Sequence, residues 1–165
     1  MTRDEVDLLA LYDVALPQVY GYLLSRCGDR TLAEDLTSET FLAAVSASGP
    51  LSTAWLIGTA RHKLVDHWRR LAREERGLKL VHERTRGDDA AEDPWDVRLD
   101  VLAARDVLAR LGPHHRAALV LRHLDGLPVP EVAHHLDRTL HATEALLSRA
   151  RAAFRREYER GCFDA

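Results

Sequence analysis

The chain has 165 residues, 46% of them hydrophobic and 30% charged, and a formal net charge of −3. That is the composition of a folded globular protein, and the length fits one ordinary domain or two small ones. Its two cysteines, Cys27 and Cys162, are too far apart for a metal motif or a disulfide framework, and no apolar run approaches the about 18 residues that a membrane span needs.

Strand signals are nearly absent, whereas helix signals recur along the whole chain. Residues 4–26 read as a helix, bent or interrupted at Pro17, which removes a backbone donor, and stopped by Gly28. Acids follow Met1 closely, so no signal peptide is expected there. Thr31-Leu32-Ala33-Glu34 is a capping-box pattern, which predicts a second helix from about Leu32 to Val45. Ser48-Gly49-Pro50 breaks the chain. Ser52 or Thr53 then caps a third helix to about Arg76. At about 100° per residue, Ile57, Ala60, Leu64, Trp68 and Leu71 share one narrow arc, with His62, Asp66, Arg69, Arg73 and Arg76 opposite. The third helix therefore has a core stripe and a mostly basic back.

From Glu83 to Pro94 the only apolar residues are Ala90 and Ala91, and Gly87, Asp88, Asp89 and Pro94 mark an acidic linker. The expected organisation is two small helical domains, 1–80 and 95–165, joined by residues 81–94. Trp95 reads as an anchor for the second domain's first helix, about Asp96 to Leu111, which Gly112-Pro113 closes. Further helices are expected from His114 to Leu124 and from Val129 to Leu136. After Asp137-Arg138-Thr139, a long one runs from Leu140 to about Glu159.

The last two helices have helix-turn-helix spacing. On the longer one Thr143, Leu147, Ala150, Phe154 and Tyr158 form the expected buried arc. His141, Ala145, Ser148, Arg149, Ala152 and Arg156 cluster on the far side, where small residues let a helix sink into a major groove and arginines meet phosphates or guanine edges. Charge is segregated to match. Residues 61–76 carry six Arg or Lys against three acids, and residues 149–160 carry five Arg against two Glu. Two basic stripes in an acidic chain fit two local anion contacts, or two solvated helix faces.

These segments, taken in order, resemble the extracytoplasmic-function (ECF) sigma factors of bacterial RNA polymerase. Ala33-Glu34-Asp35-Leu36-Thr37-Ser38-Glu39-Thr40-Phe41-Leu42 resembles the family's polymerase-binding helix. Ala54-Trp55-Leu56-Ile57 through Arg61, then Asp66-His67-Trp68-Arg69-Arg70, resembles its promoter-melting helix. Leu111-Gly112-Pro113 through Arg122, Gly126-Leu127, Glu131-Val132-Ala133 and Leu147-Ser148-Arg149-Ala150-Arg151 resemble its second domain.

The resemblance implies an all-α, two-domain protein that binds core RNA polymerase and promoter DNA, with no cofactor, no metal and no enzymatic activity. Glu34, Asp35 and Glu39 would dock on the β′ coiled coil, with Phe41 supporting their helix from within. Arg61, His62, Lys63, Asp66, Arg69, Arg70 and Arg73 would face the −10 element. Arg138, Thr139, His141, Glu144, Ala145, Ser148, Arg149, Arg151 and Arg156 would meet the −35 element, while the same domain touches the β flap. A sequestering anti-sigma factor and a cytoplasmic location are implied as well. The chain departs from the family in its short connection Ser46-Ala47-Ser48-Gly49-Pro50-Leu51, and in Glu144, Ala145 and Leu146 on the recognition helix.

Two other readings compete. A stand-alone helix-turn-helix regulator would form dimers on palindromic sites and would have no polymerase affinity. A small helical enzyme would need a His/Asp metal site, yet His62 and His67 point about 140° apart on a helix and cannot easily share one ion. His114-His115 and His134-His135 diverge in the same way and read as surface residues. Their protonation at low pH would favour an anionic partner.

Overall fold

The structure, a computed structural model, describes residues 3–78 and 101–163. The expected linker 81–94, Trp95 and the start of the helix expected at Asp96 lie outside the described residues. Every described element is helical. The helices are α1 (Arg3–Cys27), α2 (Arg30–Ser46), α3 (Thr53–Leu78), α4 (Val101–Arg110), α5 (Pro113–Leu119), α6 (Val129–Leu136) and α7 (Leu140–Phe163). Contacts divide the chain into two compact units, Met1–Asp66 and His67–Ala165, so the last turns of α3 group with the second.

In the first unit α1 packs on α2. Helix α1 runs unbroken through Pro17. The proline is exposed, so the hydrogen bond it cannot make is missing on the solvent side. Ala15, Val19, Leu23 and Cys27 are buried at every fourth position, which makes one continuous stripe along the helix. Gly28 ends it at φ 68° and donates its N–H to the Leu24 carbonyl at 2.9 Å.

Helix α2 starts two residues earlier than the Thr31 pattern predicts. Asp29 is its cap and accepts the Leu32 N–H at 3.1 Å. An ionised carboxylate is a stronger acceptor than a hydroxyl, and here it stands nearer the break at Gly28. Two threonines are buried in α2, and each satisfies its hydroxyl within the helix: Thr37 donates to the Ala33 carbonyl (2.6 Å) and Thr40 to that of Leu36 (2.7 Å). Ser52 caps α3 by accepting the Trp55 N–H at 3.1 Å, one of the two expected alternatives.

The buried face of α3 is turned slightly from the expected arc. Ala60, Leu64 and Trp68 are buried as predicted. Leu56, Val65 and Ala72 are buried with them, while Ile57 and Leu71 are only half-buried.

In the second unit α7 is the central element, with α4, α5 and α6 all packed on it. Val107, Leu111, Leu119, Ala150, Ala153 and Phe154 form a core cluster that Tyr158 extends. The Phe154 and Tyr158 rings stack with centroids 6.1 Å apart. Each large side chain buried this way contributes about 1.5–3 kcal/mol. Pro113 opens α5, one residue before the expected start at His114, because its preset φ suits the first helical position. The helix expected to Leu124 changes character after Leu119: Val120–Leu124 is a π-helical turn, in which Asp125 donates to Val120 at 3.0 Å. Arg116 folds back over the end of α4 and donates to the carbonyls of Leu108 (2.8 Å), Ala109 and Leu111 (3.2 Å). One guanidinium thus reaches three carbonyls at and just past the end of α4, where carbonyls lack intrahelical partners.

Candidate functional site

The turn between α6 and α7 is built from local hydrogen bonds. Asp137 has φ 51°, a left-handed conformation that asparagine and aspartate tolerate better than other non-glycine residues. Its N–H bonds to the His134 carbonyl (3.2 Å), and the Arg138 N–H to that of Ala133 (3.0 Å). This pair of bonds is the Schellman closure of a helix C-terminus. Thr139 then caps α7: its hydroxyl accepts the Ala142 N–H at 3.2 Å, while its carbonyl accepts the Thr143 N–H (3.0 Å) and hydroxyl (2.9 Å). Val132, Ala133 and Leu136 of α6 are buried, and so are Thr143, Leu146, Leu147 and Ala150 of α7.

The opposite side of α7 is open. His141, Glu144, Ala145, Arg151 and Arg156 are exposed, and Ser148 and Arg149 are half-buried. Arg151 and Arg156 make no hydrogen bond or ion pair with the described residues. Arg149 is less free than its place on the far side of the helix implies, because its Nε atom is buried, with no hydrogen-bond partner among the described residues. The Thr139 hydroxyl commits one acceptor lone pair to the cap, which leaves its hydrogen available as a donor.

The acids of α2 lie on the outer face of that helix, with Glu34, Asp35 and Glu39 all exposed. No acid stands in the helix's first turn. Complementing the helix dipole, an effect confined to the terminal turn, therefore does not account for them. Phe41 points inward and meets Tyr12 of α1 edge-on, with centroids 4.7 Å apart. Beside the acids, Leu9, Tyr12, Leu42 and Val45 stay exposed around a groove of about 410 Å³. The short connection 47–51 borders a second cavity of about 610 Å³ against Leu8 and Leu11.

On α3, His62, Asp66, Arg70 and Arg73 are exposed, while Arg61, Lys63 and Arg69 are half-buried. Three of these cations have partners that the sequence does not signal. Arg61 Nε donates to the Tyr22 hydroxyl at 3.4 Å. Lys63 Nζ lies 3.7 Å from Glu39 Oε2. Arg69 Nη2 lies 3.4 Å from Asp137 Oδ2. Within the first unit, the expected polymerase-facing and DNA-facing sets thus meet at Glu39 and Lys63.

His114 and His115 are half-buried, not the surface residues expected, because α5 packs on α7. Burial first, then the neighbouring Arg138 guanidinium, pushes His114 down to about 4. Burial, with Arg149 and Arg156, also lowers His115. No three His, Cys, Asp or Glu side chains among the described residues are grouped to hold a metal ion. No described helix is long and apolar enough to cross a membrane.

Comparison with known proteins places this geometry. The sigma-70 region 2 model matches residues 11–74, and the ECF sigma factor model matches residues 43–160. The chain is 34% identical over 149 residues to the ECF RNA polymerase sigma factor BldN of Streptomyces coelicolor; the match covers 85% of this chain and 56% of that protein. It thus spans little more than half the length of that relative. It is 30% identical over 178 residues to the ECF RNA polymerase sigma factor SigM of Bacillus subtilis, with 99% of each chain covered. Among solved structures, the sigma factor RpoE of Bartonella quintana, in complex with the anti-sigma factor NepR, has the same fold. It aligns at TM-score 0.54 and 21% identity over 93% of this chain and 97% of that one. With a family model matching well over half of its length, this chain belongs to the ECF sigma factors.

Proposed function

We propose that this chain is a promoter-specificity subunit that binds core RNA polymerase and directs it to −10 and −35 elements. The observation that carries the reading is the ECF sigma factor match over residues 43–160, which takes in both the basic α3 and the α6–α7 helix-turn-helix. Residues 1–80 serve as the polymerase-binding and promoter-melting domain, 81–94 as the linker, and 95–165 as the −35-binding domain.

Glu34, Asp35 and Glu39 dock on the β′ coiled coil, on a helix braced from within by Phe41. Arg61, His62, Lys63, Asp66, Arg69, Arg70 and Arg73 contact the −10 element. Arg138, Thr139, His141, Glu144, Ala145, Ser148, Arg149, Arg151 and Arg156 lie against the −35 element, and the same domain touches the β flap. Unstacking a promoter base costs a few kcal/mol. Binding energy from both elements offsets it, so the chain has no reaction of its own to catalyse. It acts in the cytoplasm, where the polymerase is. The Bartonella protein of the same fold is held by an anti-sigma factor, and we extend a sequestering partner of that kind to this chain.

The test is co-elution of the purified chain with sigma-free core polymerase, beside the Asp35→Ala/Glu39→Ala variant. Wild-type co-elution that weakens in the variant supports the reading. A folded, inhibitor-free wild type that does not co-elute overturns it in favour of a stand-alone regulator.

A further inference from the structure

The start of α5 lies outside the residues assigned above to DNA, yet it sets His114 and His115, which those assignments leave unused, beside arginines that they do use. His114 lines a cleft of about 280 Å³ with Leu136, Asp137 and Arg138 of the helix-turn-helix turn. Arg69, Arg73 and Arg76, from the last turns of α3 in the same unit, line it too. Arg149 and Arg156 of α7 lie near His115. The cleft has a single carboxylate, Asp137, whose side chain is 84% exposed and already faces Arg69 at 3.4 Å. Arg116, next in sequence, is turned away onto the carbonyls at the end of α4. The buried Nε of Arg149 adds a donor that nothing among the described residues accepts. Cations in excess, a donor without an acceptor and two half-buried imidazoles describe a place that lacks an anion.

We propose that His114 and His115 form, with Arg138 and Arg149, a contact for a phosphate of the DNA backbone, and that they take up protons when that phosphate binds. The inference rests on the DNA-binding reading of α6 and α7. A phosphate entering the cluster offsets the arginine charges that now oppose protonation, and an imidazolium then donates a charge-assisted hydrogen bond. Because the contact is to the backbone, it does not depend on base sequence.

In the free protein His114 is held at about 4, below its ordinary 6.5, so protons bind more readily to the unfolded chain between those values. Stability contributed by the neutral imidazole is therefore present above about 6.5 and is lost as pH falls toward about 4. Duplex binding runs the opposite way: affinity rises as pH falls, by at most about tenfold per unit for each proton taken up.

The experiment is fluorescence anisotropy of the full chain with a mixed-sequence DNA duplex at fixed low salt, from pH 8 to 5.5. The His114→Gln/His115→Gln and His114→Arg variants run in parallel. The expected result is wild-type affinity that climbs as pH falls, a Gln variant whose climb is clearly smaller because only His62 and His141 still face the DNA, and an Arg variant that binds tightly across the range. The Arg variant should also have a salt slope steeper by about one, for one added phosphate contact. A pH slope retained in full by the Gln variant, or wild-type affinity independent of pH, overturns the inference and leaves the DNA reading intact. Proton-linked binding of pyrophosphate alone, with no pH effect on the duplex, overturns it in favour of a small anion. No duplex binding at any pH removes both the inference and the reading beneath it.

Discussion

The two basic helices, α3 and α7, present similar periodic charges but hold them differently. On α3 the three half-buried cations are already engaged, Arg61 with Tyr22, Lys63 with Glu39 and Arg69 with Asp137, while Arg70 and Arg73 are exposed. On α7 Arg151 and Arg156 stand exposed and make no ion pair with the described residues, on a helix that Thr139 caps. A contact through Arg61, Lys63 or Arg69 must displace an internal one, while a contact through Arg70 or Arg73 of α3, or Arg151 or Arg156 of α7, only has to be reached. The lesson is that a basic stripe read from periodicity states where charges lie on a helix, not what they already neutralise.

The comparison is broken most severely by removing the platform under α7. Leu147 is 1% exposed beneath the open face. Leu147→Ala is expected to cost about 2–5 kcal/mol, measured by urea unfolding. Hydrogen exchange should rise across α5–α7 and stay unchanged in α1 and α2; uniform loss of protection would show that the units do not unfold separately.

A smaller effect is expected at the turn. Asp137→Val should lose about 1–2 kcal/mol, because a β-branched residue resists the left-handed region, whereas Asp137→Gly should lose none. Equal melting temperatures for the two variants would remove conformational strain as the reason for an aspartate here. Thr139→Ala deletes the α7 cap and should cost about 1 kcal/mol, again by urea unfolding. Because the open face depends on that cap, duplex affinity should fall with it.

The smallest change sharpens the α3 side. Glu39→Gln releases Lys63 from an exposed pair worth up to about 1 kcal/mol. Duplex affinity should rise by no more than about fivefold, and the gain should vanish at high salt, where such pairs are screened. Unchanged affinity at low salt would mean that Lys63 does not meet DNA.

Much of the fold was legible because it is written in short-range signals. Gly112-Pro113 and Asp137-Arg138-Thr139 bound their helices through hydrogen bonds spanning a few residues, and α6 begins and ends where its sequence predicts. Where the reading slipped, a neighbouring signal of the same kind prevailed: Asp29 over Thr31 as the cap of α2, and a π-helical turn within the helix expected to Leu124. The candidate site was legible as a set of exposed positions. The partial burial of Arg149, His114 and His115 was not, because it depends on how α5 lies against α7.

By itself the sequence determined the all-helical class and the helix-turn-helix turn, since each follows from residues within a turn or two of one another. Only the tertiary structure decided which edge of α3 is buried, that Lys63 meets Glu39 and Arg61 meets Tyr22, and that α5 brings two imidazoles among arginines of α7. Those pairings join residues distant in sequence. Their partners are chosen by helix packing, which no local periodicity encodes.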